Sequence, residues 1–533
     1  MERACWIHCG SRAGVKTPVS YIEIQYIFHG VKIMTIRIPL GLDNYVLTQE
    51  NKERQVVWDS ESAINGHMLI AGDSGTGKTH RLRRLIEAML RNGGSQVRFH
   101  IFDIHGDITI SNESVVKFSE TTDYGFNPLA INPDPDFGGV RKQIQRFITG
   151  INKTSRKLGP RQEAVLRYLL SDLYKAHKFM EDDPSTWCIR PEDVQAVSMV
   201  GKEGRIYLDV AFEEKDLAKS LGCQWDTELK AWWIHQGQHV GQLCQWPEKI
   251  WGKYQPTLLD AVRFARRKLE AIFIGANSVA VNYLSDVNSK ASAYHRKVAE
   301  ALRRGHEPED KDKLLEQLAT AQEKAISAYS QYLKSIQNGR EMAEVLRYDS
   351  VEVLKSVYER LENLRAIGIF RSAVPPFDPN AAVWRYDIKY LAPDERLLFV
   401  FFKLEDLFNK AVQRGVVSND NKIRDVILID EAHNFFTDDE DNILNRIAKE
   451  ARKFGIALIC ASQSPTHFSS DFLTNVALKI MLPLDLTYWE GTARKLNIEK
   501  DQLKNLIPRE TALVHIKESG RKSSKFRTIK LSQ

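Results

Sequence analysis

The chain has 533 residues, of which 43% are hydrophobic and 27% charged, and its formal net charge is +6. This is a globular composition, which excludes a long disordered or fibrous chain, and the length indicates several domains. The mild positive charge is compatible with a nucleic-acid partner without requiring one. No apolar run reaches the length of a membrane-spanning helix, and six scattered cysteines make no disulfide framework, so we expect a cytoplasmic protein without a membrane partner.

The first elements in the chain predict a parallel sheet. Alternating apolar residues over 19–38 predict a β-hairpin within a small N-terminal β region, residues 1–60. The apolar residues 67–71 then predict a short buried strand, followed by a Gly-rich turn, an amphipathic helix and a second strand over 97–102. This strand–helix–strand order is a βαβ unit, which we assign to the first part of a core, residues 61–137.

The middle of the chain interrupts the α/β pattern. It divides into a helical segment, a small Trp-rich domain and a long helical insertion, at residues 138–200, 201–252 and 253–372. Within the insertion an apolar stripe predicts a helical hairpin that packs on itself rather than a partner-binding face; its members are Leu315, Leu318, Ile326, Tyr329, Leu333 and Ile336.

The α/β pattern returns over residues 373–520, before a short tail at 521–533. The apolar runs predict four further core strands, at 397–402, 426–429, 456–461 and 476–482. We therefore predict an α/β fold: one core split by a mainly helical insertion.

A phosphate-binding motif follows the first core strand. The run Gly72-Asp73-Ser74-Gly75-Thr76-Gly77-Lys78-Thr79 matches G-x-x-x-x-G-K-[ST] between a strand and a helix. Its glycines let successive backbone N–H groups point at the phosphates, Lys78 adds a positive charge, and Thr79 offers a hydroxyl to Mg²⁺. The motif predicts that this chain binds ATP with Mg²⁺.

The second half of the predicted site comes about 350 residues later, at the carboxyl end of a buried strand, where ligands bind in open α/β sheets. Four apolar residues, 426–429, lead into Asp430 and Glu431. Asp430 is placed to hold Mg²⁺ and Glu431 to activate the attacking water. An apolar run followed by two acids is a weak motif alone and a strong one together with the P-loop.

Residues 430–433 also spell DEAH, which suggests a helicase with two tandem ATPase lobes. The chain has a single P-loop, so we favour instead a ring in which neighbouring subunits complete each other's site.

Four further segments resemble the HerA branch of the HerA/FtsK translocases. Asp103-Ile104-His105-Gly106-Asp107 resembles that family's D-P-H-G-E turn, and Phe126-Asn127-Pro128-Leu129 its Asn-Pro-Leu. Residues 450–455 (EARKFG) and 461–465 (ASQSP) are similar to the family's E-G-R-K-F-G and S-Q-R-P. The resemblance covers about residues 60–135 and 375–520.

The resemblance implies a RecA-like ATPase core and a homohexamer that encircles and moves double-stranded DNA. It implies that Gln463 senses the γ-phosphate and that Arg452 acts in a neighbouring subunit as an arginine finger. Asp103 and His105 are then expected beside the nucleotide, although Asp103 could instead cap a turn and Arg452 could serve only its helix.

The family resemblance also implies a partner effector, either a NurA-type nuclease or a sirtuin-like enzyme that consumes NAD, in DNA end processing or anti-phage defence. Two alternatives stay open: a ring scaffold whose ATP binding gates assembly without moving DNA, and a conjugation-type pump ATPase.

Two regions leave their own alternatives. The Trp-rich residues 204–237 are similar to a small domain of unknown function found in plasmid primases; their tryptophans either form a mini-core or stack on bases. A basic cluster after the Asn-Pro-Leu turn either lines a DNA channel or is a solvated helix face; it comprises Arg141, Lys142, Arg146, Lys153 and Lys157.

Overall fold

A computed structural model describes most of the chain from residue 36 onward. The described residues are 36–93, 97–154, 157–190, 193, 204–210, 212–235, 238, 243, 246, 248–249, 251–274, 278–304, 310–335, 348, 351–417, 422–436, 442–520 and 525–531. The hairpin predicted for residues 19–38 lies almost wholly outside them. No helix in these ranges is long and apolar enough to cross a membrane.

A sheet of 11 strands organises the molecule, in the order β2-β1-β14-β13-β12-β3-β11-β10-β4-β9-β5. The seven strands from β12 to β5 are parallel, and the other four join antiparallel. The strands are β1 (Arg37–Asp43), β2 (Gln55–Asp59), β3 (Met68–Ala71), β4 (Arg98–Asp103), β5 (Glu113–Lys117), β9 (Val383–Asp387), β10 (Asp425–Ile429), β11 (Ile456–Ser462), β12 (Leu478–Met481), β13 (Thr511–Ile516) and β14 (Arg527–Lys530).

Helices cover the sheet and build the insertion. They are α1 (Asn44–Gln49), α2 (Lys78–Gly93), α3 (Val140–Ile151), α4 (Pro160–Ala176), α5 (Lys215–Ser220), α6 (Leu258–Ile274), α7 (Ser278–Arg303), α8 (Lys311–Ser335), α9 (Val351–Ala366), α10 (Pro393–Gln413), α11 (Ile443–Glu450), α12 (Ser470–Asn475), α13 (Leu486–Leu496) and α14 (Lys500–Lys504).

The α/β, RecA-like core predicted from the sequence is confirmed. Strands β3, β10, β11 and β12 are buried along their whole length, because helices lie on both faces of a parallel sheet. This burial explains why each of these strands appears in the sequence as a continuous apolar run, which is the pattern that predicted them. Together with β4 they coincide, within a few residues, with five of the predicted strands.

The strand predicted at 397–402 is wrong. These residues lie within helix α10, which begins at Pro393 and whose first turn is capped by the Glu395 carboxylate accepting the Ala392 N–H at 2.8 Å. The helix is buried on most sides, so its apolar run mimics a buried strand. The core strand is instead β9, which lies between β4 and β5.

Both ends of the described chain extend the core sheet. Strand β1 pairs with β2 on one side and β14 on the other, so the described part of the N-terminal β region is an edge of the main sheet. Residues 521–533 were expected to be a tail, yet they contain strand β14, which pairs with β13. This strand has only four residues, so its alternation of buried and exposed side chains is too short to be recognised in the sequence.

In the helical insertion, α7 and α8 pack along each other. The buried face of α8 consists of Ala321, Ala325 and Ala328, since small side chains let two helices approach closely. Most of the predicted apolar stripe is exposed: Leu315, Ile326, Tyr329 and Leu333 face outward, and Ile336 lies outside the described residues. The prediction that this stripe closes the hairpin is therefore wrong.

The Trp-rich segment forms a three-stranded antiparallel sheet with helix α5. Its strands are β6 (Arg205–Leu208), β7 (Gln224–Asp226) and β8 (Ala231–His235). Trp233 is buried beneath the Arg205 guanidinium, whereas Trp225 is 47% exposed. The tryptophans thus divide between a mini-core and a surface position.

Candidate nucleotide site

The P-loop lies between β3 and α2, at the carboxyl edge of the parallel strands. Its backbone is fixed by the neighbouring strands: the Gly72 N–H donates to the Ser462 carbonyl at 3.1 Å and the Asp73 N–H to the Pro483 carbonyl at 2.9 Å. Gly75 and Gly77 have φ of 78° and 100°, which favour glycine. The loop is therefore held in the curled shape that a phosphate cradle needs.

Lys78 is paired with Glu431 across the site. The Lys78 Nζ donates to the Glu431 Oε1 at 2.7 Å, and both side chains are 10% exposed. Glu431 itself sits in the left-handed region with φ 44°, a costly conformation for a residue other than glycine. The tight turn after β10 thus aims this carboxylate at the P-loop.

Glu431 is held ionised. Burial alone raises its pKa, but hydrogen bonding from His433 and Lys78 outweighs burial and lowers the pKa to about 2. The His433 Nδ1 lies 3.2 Å from Glu431 Oε2 and 3.3 Å from the Ser462 Oγ. The carboxylate is therefore charged at neutral pH, but it is a weak base for as long as Lys78 and His433 hold it.

Three aspartates converge beside the P-loop. Oxygen atoms of Asp103, Asp107 and Asp430 all lie within 4.8 Å of one another. Burial and Glu431 raise the pKa of Asp430 to about 6, and its buried Oδ1 has no hydrogen-bond partner among the described residues. The Thr79 hydroxyl donates to Asp107 Oδ2 at 3.3 Å. This set of hard oxygen atoms fits Mg²⁺.

Asp103 and His105 differ in what they contribute. The Asp103 carboxylate accepts the N–H groups of Gly106 at 2.8 Å and Ile108 at 3.2 Å, and Arg385 at 3.2 Å. It therefore shapes the turn that presents Asp107. The His105 side chain is exposed, so the structure does not bring it into the buried part of the site.

Asp107 was not singled out in the sequence. The only hint was its place as the second acid of the turn that begins at Asp103. Its approach to Asp430 depends on β4 and β10 being neighbours, which the sequence did not specify.

Gln463 and Arg452, the two residues predicted to contact the γ-phosphate, lie at opposite ends of strand β11. Gln463 directly follows β11, whose last residue, Ser462, binds the P-loop, so Gln463 is at the nucleotide edge. Arg452 lies in the 3-10 turn Ala451–Phe454 that precedes the same strand. It is close to His67, whose pKa burial and the Arg452 charge lower to about 4. Arg452 is therefore remote from the P-loop of its own chain.

Arg509 is a second residue that sequence reasoning missed. Strand β13 runs antiparallel to β12, so the loop before it returns to the P-loop edge. The Arg509 Cγ is 3.6 Å from where a Cβ on Gly77 would lie, and its φ is 65°. An exposed guanidinium beside the P-loop, in a backbone conformation unusual for arginine, is placed to meet an anionic ligand.

Comparisons with known proteins agree with this geometry. Residues 46–182 match the family described as "Helicase HerA, central domain", and residues 205–248 match a domain of unknown function, DUF5710. The chain is 38% identical over 71 residues to the DNA double-strand break repair helicase HerA of Pyrococcus furiosus, covering 12% of this chain and 13% of that protein.

Other relatives share further segments. A probable DNA double-strand break repair helicase HerA of Methanocaldococcus jannaschii is 32% identical over 122 residues, 19% of this chain and 24% of that protein. The DNA primase TraC of Escherichia coli is 27% identical over 88 residues, 16% of this chain and 6% of that protein. The chain thus spans less than a quarter of each of these relatives.

A solved structure shares the fold over most of the chain. VirB4 of Thermoanaerobacter pseudethanolicus superposes with a TM-score of 0.53 at 14% identity, covering 93% of this chain and 96% of VirB4. The likeness concerns the fold alone.

Proposed function

Since this chain carries a P-loop ATPase core of the HerA/FtsK type, we propose that it hydrolyses ATP and uses the energy to move double-stranded DNA through a homohexameric ring. The observation that carries the proposal is the buried Lys78–Glu431 pair beside three converging aspartates. Phosphate-binding charge, metal-binding oxygen atoms and a charged base occur together at one edge of the sheet.

The Lys78–Glu431 pair suggests how binding prepares hydrolysis. ATP phosphates in the P-loop attract Lys78 away from Glu431, because they offer it more negative charge. Glu431, released from Lys78, accepts a proton from the water that attacks the γ-phosphorus, and ADP leaves as the bond between its bridging oxygen and the γ-phosphorus breaks. Gln463 lies at the same edge and contacts the γ-phosphate, while Arg509 neutralises phosphate charge beside Gly77.

Thr79, Asp430 and Asp107 would hold Mg²⁺, on a turn that Asp103 shapes. Bound there, Mg²⁺ supplies charge neutralisation at the β- and γ-phosphates. His105 remains a candidate at the mouth of the site, since its ring is exposed on the same turn.

The position of Arg452 supports the ring. This residue lies at the end of the strands opposite its own P-loop, where an arginine that serves the nucleotide of a neighbouring subunit would be expected. A closed ring gives every subunit such a neighbour.

For DNA, the basic cluster after the Asn-Pro-Leu turn needs correction. Arg146 is poorly available to a channel, because it is partly buried and its Nε lies 3.3 Å from Glu405 Oε2. Arg141 pairs with Glu181 and Asp182 at the surface. Lys142 and Lys157 are exposed and remain as candidates for contact with DNA phosphates.

The finer assignments are part of the same proposal. The relatives named HerA are described as repair helicases, which supports work on DNA ends. A NurA-type nuclease or a sirtuin-like NAD-consuming enzyme would be the cytoplasmic partner, in end processing or anti-phage defence.

We expect Lys78→Ala to abolish detectable ATP binding. Without the ammonium the phosphates lose their charged partner, and Glu431 is left as an uncompensated charge that repels them. Calorimetric titration with a non-hydrolysable ATP analogue measures the loss. Lys504→Ala, which removes a surface lysine elsewhere, serves as the control; equal affinity in the two variants would contradict the assignment of the cradle.

Duplex DNA should stimulate ATP hydrolysis if the ring moves on DNA. The measurement compares turnover with and without linear duplex, alongside displacement of a third strand annealed to it. Stimulation with displacement supports translocation. Hydrolysis that ignores DNA and displaces nothing would favour the ring scaffold instead.

A further inference from the structure

A basic cavity lies at the end of the core strands opposite the P-loop. It has a volume of about 550 Å³ and is bounded by β12, β13, α12 and the α13–α14 connection. Its lining is basic: Lys479, Lys495, Lys517, Lys525 and His515 all contribute to its wall.

Lys479 is the buried centre of this cluster. Its side chain projects from β12 and the residue is only 4% exposed. Its Nζ donates to the Val476 carbonyl at 2.9 Å, and the Lys517 Nζ donates to the Thr474 carbonyl at 2.5 Å. An ammonium group has three N–H donors, so each lysine keeps donors for a ligand in the cavity.

The charge of the cluster is not balanced by acids. Across the described ranges, no carboxylate lies within 4.0 Å of the Nζ of Lys479 or Lys517. Glu499 borders the cavity but forms no ion pair with either lysine there. Burial and the neighbouring Lys517 lower the pKa of Lys479 to about 7, so the arrangement costs stability.

We propose that this cavity binds a phosphate group, carried either by the backbone of DNA or by a small phosphorylated molecule. Lys479 and Lys517 supply the charge, and the hydroxyl of Ser470 with the amide of Gln502 supplies further donors. The cavity volume lies within the range of small-molecule sites, which is roughly 300–1,000 Å³. A bound anion balances the two lysines and removes the cost of burying them.

Labelling with pyridoxal 5′-phosphate tests the site in the full-length protein. The aldehyde condenses with an unprotonated lysine amine, water leaves, and borohydride reduces the imine to a stable secondary amine. Mass spectrometry then locates each label. Pyridoxal is slower at every lysine because its free hydroxyl closes onto the aldehyde, so the ratio of the two labelling rates is compared with that at the surface residue Lys504. At neutral pH we expect this ratio to be at least about tenfold higher at Lys479 or Lys517, because one charge-assisted contact contributes that much.

Competition identifies the source of the phosphate. Protection by inorganic phosphate or pyrophosphate alone indicates a small phosphorylated ligand, and protection by duplex DNA indicates the backbone. Labelling of Lys479 and Lys517 no faster than that of the surface residue Lys504, or labelling that no anion reduces, would overturn the proposal. Label at Lys78 is located separately, so a failure of the nucleotide site and a failure of this cavity are distinguishable.

A second measurement uses Lys479→Met, which keeps the length of the side chain without its charge. The pKa of Lys479 is about 7 in the folded protein, whereas an unfolded lysine has a pKa of about 10.4. At this position the unfolded chain therefore binds more protons than the folded one between these pH values, so the contribution of Lys479 to stability rises as pH increases from about 7 to about 10.

We expect Lys479→Met to melt at a higher temperature than the wild type at pH 7. Its stability should also increase less than that of the wild type as the pH rises from about 7 to about 10. The groups that face Lys479 are the same in both proteins, namely Lys517, His515, Lys495, Lys525 and Glu499. The repulsion between Lys479 and Lys517 is lost in the variant, so this repulsion is part of the expected difference. Added phosphate should raise the melting temperature of Lys78→Ala, whose P-loop no longer competes for it. The same addition should leave Lys78→Ala/Lys479→Met unchanged, and an equal rise in both would count against the cavity.

Discussion

Replacing Glu431 with Gln is expected to lower ATP turnover by about 100- to 10,000-fold while nucleotide binding is preserved or strengthened. Glutamine has nearly the same shape as glutamate, but its amide accepts no proton at neutral pH. It also no longer holds Lys78 by an ion pair, since the 2.7 Å contact joins an ammonium to a carboxylate. The freed Lys78 then meets the phosphates at a smaller electrostatic cost.

Steady-state turnover and analogue affinity, measured on the same preparation, separate the two effects. Glu490→Gln is a matched control, because Glu490 pairs with Lys500 at the surface and belongs to none of the nucleotide-binding motifs. Wild-type turnover in Glu431→Gln would assign the base to another residue, and weaker nucleotide binding would show that Lys78 needs Glu431 to be positioned.

Arg452→Ala is expected to lower turnover by about 10³- to 10⁵-fold, which is the range for removing an arginine finger. Arg452 lies at the end of the strands that is remote from its own P-loop, so we expect its guanidinium to act on the nucleotide of a neighbouring subunit. ATP affinity should change little, since the P-loop of each subunit is intact. Lys453→Ala, which removes the exposed neighbour in the same turn, is the matched control.

Mixing subunits tests whether the finger acts in trans. Arg452→Ala and Lys78→Ala proteins should each be inactive, yet mixed rings contain interfaces where an intact Arg452 meets an intact P-loop. Such rings should recover part of the activity and have a mass of about 370 kDa, six chains of 61.0 kDa. Continued inactivity after confirmed subunit exchange, or full wild-type activity at the mass of one chain, would exclude action in trans.

The sequence by itself determined the core of this protein. A strand buried on both faces must be apolar at every position, so 67–71, 426–429 and 456–461 were readable without any partner. The P-loop motif was equally readable, because its eight residues are consecutive and are recognised without any partner from elsewhere in the chain. The same rule failed at 397–402, where a helix buried on most sides carries the same unbroken apolar run.

Only the tertiary structure decided how these parts meet. Lys78 and Glu431 are 353 residues apart in the chain and 2.7 Å apart in space. Asp107 joins Asp430, and Arg509 joins Gly77, because strands distant in the sequence are neighbours in the sheet. Likewise Lys479 is an ordinary lysine until β13 and α12 bury it beside Lys517. Charges act through distance in space, and chain separation carries no information about that distance until the sheet order is known.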